Sequence, residues 1–177
     1  MQYVALLRGI TPGNLNMRNE KLRTVFEEIG FTNVKTVISS GNVLFETDNR
    51  DVGALEGAIE KALLKQLGFH STTIVRNRPE LQKLVDQKPF ENDNHTSKNY
   101  LTLTFIKRNA RFPYKLPYTP EGKAYSFVNF IDNTVFSVVD TTAAKTPDLM
   151  TWLEKQFTKD ITTRTWKTVL RILQKWD

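Results

Sequence analysis

Hydrophobic positions along the chain switch between a period of two and a period near 3.6, and the switches mark its elements. Residues 3–8 form a short apolar run ended by Gly9, which predicts a strand and then a loop over GITPGNLN. Leu22, Val25, Phe26 and Ile29 recur at helical spacing, and Gly30 follows them. Residues 34–39 and 42–47 read as two strands, joined by a tight turn at Ser40-Gly41. Asp51 can cap a second helix that carries Leu55, Ile59, Ala62 and Leu63, Gly68 ends it, and residues 70–76 read as a fourth strand. Beyond a helix opened by Pro79, strands are expected over residues 100–106, 125–131 and 134–139, with Asp132-Asn133 turning between the last two. One helix starts at Thr146-Pro147, and a last one runs from about residue 165 to 176. Between these strands, FPYKLPYTPEGK holds three of the seven prolines and reads as an irregular excursion.

The order β-α-β-β-α-β over residues 1–77 is that of a ferredoxin-like sandwich. Its first strand, Tyr3-Val4-Ala5-Leu6-Leu7, is apolar on both faces, so it should be central and covered on both sides. We therefore expect an α+β protein: a ferredoxin-like subdomain over residues 1–77, packed on a second, related α+β subdomain over 78–177 that ends in a basic amphipathic helix. The second part reads as a degenerate echo of the first, with the proline-rich excursion where a helix would be. A dimer partner is the alternative cover for the open sheet face.

Composition removes several function classes. With no cysteine there is no disulfide, thiolate metal site or cysteine nucleophile, and His70 and His95 lack the spacing of a zinc site. No metal and no cofactor is implied. No window approaches the roughly 20 apolar residues of a membrane span, and nothing at the N-terminus resembles a signal peptide; a cytoplasmic protein is expected. The net charge is +6, and the surplus sits in residues 98–177, with 13 basic against 7 acidic side chains. In the last helix Lys167, Arg171 and Lys175 form one stripe, with Arg164 as its extension, and Trp166, Val169, Leu170, Leu173 and Trp176 form the opposite one. An anionic partner fits this surplus, with a nucleic acid as the weaker alternative, because the aromatic stacking residues of an RNA-binding sheet are missing.

No phosphate loop, dinucleotide fingerprint, nucleophile elbow or zinc-protease helix occurs. Topology is more informative. In a sheet of this order the end of the first strand, the β2–β3 turn and the start of the fourth strand meet at one end. That gathers Arg8, the loop with Gly9, Gly13 and Asn14, the turn residues Ser39, Ser40 and Asn42, and His70. An arginine ending an apolar strand seeks an anion or a carboxylate. The expected site is therefore a cleft for a small anionic ligand, closed by Arg164 or Lys167, with no residue assigned a catalytic role. An interaction module and a nucleic-acid-binding module remain open alternatives.

The runs YVALLRGI, M-x-x-x-x-LR-x-x-FE-x-x-GF-x-x-V-x-T-x-I-x-SGNV-x-F over residues 17–45, and TRTWKT near residue 165 resemble the bacterial family called domain of unknown function 1697. The resemblance implies two related, ferredoxin-like α+β halves and no established activity.

Overall fold

The two-sided apolar character of the first strand decides how the first sheet is built. The computed structural model of the chain describes residues 1–143 and 146–177. By its internal contacts the chain divides into two units, residues 1–82 with 171–177, and residues 83–170. The whole is mixed α+β, with two four-stranded antiparallel sheets and five α-helices among the described residues.

In the first unit, β1 (Gln2–Leu7) leads through a 3₁₀ turn (Leu15–Met17) into α1 (Asn19–Glu28). Then follow β2 (Thr32–Thr36), β3 (Asn42–Glu46), α2 (Val52–Leu67), β4 (Thr73–Asn77) and α3 (Arg78–Asp86). The sheet order is β2-β3-β1-β4, so β1 is central, as its two-sided apolar character requires. Tyr3, Ala5 and Leu7 pack in one core with Val43, Phe45 and Val75, and both helices cover that face through Leu22, Val25, Phe26, Leu55, Ile59 and Leu63. Phe45 anchors this core, stacked on Phe31 at 4.4 Å and on Tyr3 at 5.6 Å. Val4, Leu6, Leu44 and Ile74 on the other face are also buried within the single chain.

Local chemistry sets the boundaries. Asp51 Oδ1 accepts from the Ala54 amide at 2.9 Å, and Gly68 ends α2 in the left-handed region at φ 75°. The β2–β3 connection differs from the expected two-residue turn. β2 stops at Thr36, because Ile38 adopts φ 50° and leaves the extended conformation, so the connection runs over residues 37–41. Gly41, at φ 78°, is required there: a Cβ on it would lie 2.5 Å from Ile10 Cγ1 and 3.0 Å from the Leu7 carbonyl oxygen.

The second unit repeats the plan with one helix replaced. β5 (Asn99–Ile106), β6 (Tyr125–Ile131), β7 (Thr134–Asp140), α4 (Thr146–Phe157) and β8 (Ile161–Thr165) precede α5 (Trp166–Trp176). The order β6-β7-β5-β8 matches β2-β3-β1-β4 strand for strand. Where the first unit has α1, the excursion packs Phe112 and Tyr118 among Phe127 and Trp152, and Tyr118 pairs with Phe127 through two backbone bonds of 2.8 and 2.9 Å. The strand β8 was not among the expected elements. α5 counts with the second unit up to Leu170 and with the first from Arg171 onward. No helix among the described residues is long and apolar enough to cross a membrane.

Candidate functional site

The end of β1 does meet the segments that topology assigns to it. The Leu7 amide donates to the Gly41 carbonyl at 2.8 Å, the Arg8 amide to the Thr72 carbonyl at 2.9 Å, and Ser71 Oγ to the Arg8 carbonyl at 2.7 Å. Arg8 is half-buried at this junction, and Gly9 and Gly13 are exposed. Asn14 caps the 3₁₀ turn by accepting from the Asn16 amide at 2.9 Å. His70 is exposed ahead of β4. Asn42 is 1 % exposed, and its amide donates to the Val37 carbonyl at 3.1 Å and to Ser40 Oγ at 3.0 Å. Those two bonds close the turn from inside. Of the expected set, Ser39 alone lines the cavity found at this end, about 290 Å³ between Pro12, Met17, Arg18, Asn19 and Glu20.

Arg164 and Lys167 belong to the second unit. Lys167 is exposed on α5, but Arg164 is not part of a solvated stripe. It is a buried residue of β8, whose Nη1 donates to Thr162 Oγ1 at 2.8 Å and to the Thr163 carbonyl at 2.9 Å. Burial lowers its pKa to about 10. Thr165 and Thr168 of the TRTWKT run are structural as well: Thr165 Oγ1 accepts from the Thr168 amide at 3.3 Å, capping α5.

A cationic cavity lies elsewhere in the first unit, along β2, the edge strand of its sheet. A groove of about 510 Å³ is lined by Arg23 of α1, Val34, Lys35 and Thr36 of β2, and Gln174, Lys175 and Asp177 at the end of α5. Three cations face one carboxylate, and that carboxylate is already ion-paired with Arg78. Lys35 also lines a neighbouring cavity of about 230 Å³, whose walls include Gln2, Asn33, Leu44, Glu46 and Trp176. Asn33 has φ 50°, and the β2–β3 register shifts between Thr32 and Lys35. This irregularity sends the Asn33 amide to Glu46 Oε2 at 3.0 Å, while Gln2 Nε2 donates to Oε1 at 3.3 Å. Those two bonds, Asn33 first, hold the Glu46 carboxyl below the usual carboxylate range, so it stays ionised. Among the described residues no group of three or more histidine or acidic side chains is placed to hold a metal.

Sequence reasoning missed this groove because its cations come from opposite ends of the chain. One signal was present: Arg23, Val34 and Thr36 are written into the motif that carries the family resemblance, where Arg23 and Thr36 are polar positions without a core role.

Comparison with solved structures finds the conserved bacterial protein SP0830 from Streptococcus pneumoniae, at a TM-score of 0.71 and 18 % identity over 99 % of this chain and 98 % of that one. At that identity the likeness establishes a shared fold. No curated protein matches the chain. The family model described as protein of unknown function (DUF1697) matches residues 1–118, and the chain belongs to that family.

Proposed function

We propose that the N-terminal unit binds a small anionic ligand in the groove between Arg23, Lys35 and Lys175. The observation that carries this reading is the imbalance of charge around a cavity of ligand size: three cations against one carboxylate that Arg78 already engages. A half-buried guanidinium and two ammonium groups suit a phosphate or carboxylate, which accepts several charge-assisted hydrogen bonds at once. The Thr36 hydroxyl and the Gln174 amide add neutral donors. We read both halves as ferredoxin-like sandwiches, a reading supported by the matching strand orders.

The cleft at the end of β1 is a second reading. It is favoured by Ile38, a β-branched residue held at φ 50° beside Ser39, since backbone strain of this kind concentrates at ligand sites.

Calorimetric titration with inorganic phosphate tests the main reading. The native protein should bind, and K35Q combined with K175Q should weaken binding by at least about tenfold without lowering Tm. Equal binding by both proteins, or none by either, would remove the groove as the site.

A further inference from the structure

The groove and the smaller cavity share Lys35, and together they offer more than a phosphate needs. The smaller cavity has a half-buried indole, Trp176, on its apolar wall and a carboxylate, Glu46, on its polar one. Each Glu46 oxygen accepts one amide bond, from Gln2 or from Asn33, which fixes the carboxylate in place. A carboxylate has about four lone-pair sites, so two bonds leave one position open on each oxygen. Such a group receives a planar ligand edge carrying two adjacent N–H donors. An indole receives the flat face of the same ligand, and stacking of a base on an aromatic ring is worth roughly 1–3 kcal/mol. Beyond Lys35 the cations of the groove are placed for the ligand's anionic end.

We infer that the ligand is a purine mononucleotide of the guanine type, its paired N–H edge on Glu46, its ring against Trp176 and its phosphate among Arg23, Lys35 and Lys175. This assignment rests on the groove reading above and adds the identity of the base. Adenine fits less well, because its pairing edge carries a single donor, the exocyclic amino group, beside a ring nitrogen that is an acceptor and faces the carboxylate unfavourably. A site built to accept hydrogen bonds from a ligand's N–H groups discriminates strongly against a ligand that lacks them.

The test is calorimetric titration of the full chain with GMP, AMP, ribose 5-phosphate and inorganic phosphate. GMP should bind at least about tenfold more tightly than AMP and ribose 5-phosphate. E46Q should abolish the preference for GMP over AMP while phosphate still binds, and W176L should weaken both nucleotides while phosphate still binds. Equal affinity for GMP, AMP and ribose 5-phosphate, alongside measurable phosphate binding, would overturn the base assignment and leave the groove reading intact. Failure of all four ligands to bind would overturn both. The comparison among ligands on the native protein does not depend on any variant folding.

Discussion

Arg76 and Arg164 occupy the same position in the two sheets. Each is the fourth residue of its strand, opposite Val4 of β1 and Leu103 of β5 respectively. Each sends Nη1 to the carbonyl of the preceding residue at 2.9 Å, and burial lowers the pKa of both. Each strand then runs directly into a helix, α3 or α5. With the matching strand orders, the two units place a guanidinium at corresponding positions of corresponding strands, Arg164 buried and Arg76 half-buried.

The buried arginine of the second unit is structural, and its removal should show as instability. R164A should lower stability by about 3 kcal/mol, because it opens a cavity and deprives Thr162 Oγ1 and the Thr163 carbonyl of their donor. K167A, on the exposed face of α5, should stay within about 0.5 kcal/mol of the native protein. Chemical denaturation measures both. A neutral R164A would show that the guanidinium is dispensable to the fold.

Gly41 and Gly9 separate close packing from backbone freedom. Both sit at positive φ, 78° and 75°, but a Cβ on Gly9 meets nothing within 4 Å, whereas one on Gly41 collides with Ile10. G9A should cost about 1 kcal/mol from conformation alone, and G41A about 3 kcal/mol from conformation plus overpacking. Equal Tm losses for the two variants would contradict the close approach of the 9–11 segment to the turn.

Thr102 and Ser137 face each other across β5 and β7, and neither hydroxyl has a hydrogen-bond partner among the described residues. Replacing an unsatisfied buried hydroxyl removes a desolvation cost, so T102V should raise stability by about 1 kcal/mol. A loss of that size on denaturation would mean that the hydroxyl is bonded after all.

His95 predicts a pH dependence in the second unit. Its Nδ1 accepts from the Leu101 amide at 3.1 Å, and its ring stacks on Tyr100 at 4.9 Å. Partial burial, and then the charge of Lys167, hold its pKa below the ordinary 6.5. The unfolded chain therefore takes up a proton at higher pH than the folded one. The stability this residue confers is complete above about pH 6.5 and declines as pH falls toward the folded value. An NMR titration should place the His95 midpoint below 6.5, and H95Q should flatten Tm between pH 7 and 5. A midpoint above 6.5 would reverse the sign.

Much of the architecture was legible because local chemistry and tertiary need agree. Asp51 and Gly68 punctuate α2 as their side chains dictate, and the apolar run of β1 could only be central. β8 escaped notice because Ile-Thr-Thr-Arg-Thr shows no apolar alternation. Its threonines favour strand through β-branching, and the strand is buried by pairing with β5. The end of β2 was misplaced because Ile38, a residue that ordinarily favours strand, is forced to positive φ by the turn. At the site, topology correctly joined Arg8, the turn and β4, yet Asn42 turned inward and Arg164 was buried in a strand. The groove could not be read from spacing, since it exists only once α1, β2 and α5 are folded together.

The most direct test of the anion groove is a ¹H–¹⁵N correlation spectrum of the labelled chain, followed through a titration with inorganic phosphate at low ionic strength. The shifts should concentrate on Arg23, Val34, Lys35, Thr36, Gln174 and Lys175, and should weaken as salt is raised. Shifts confined to residues 9–14 and 38–41, or none at all, would contradict the assignment.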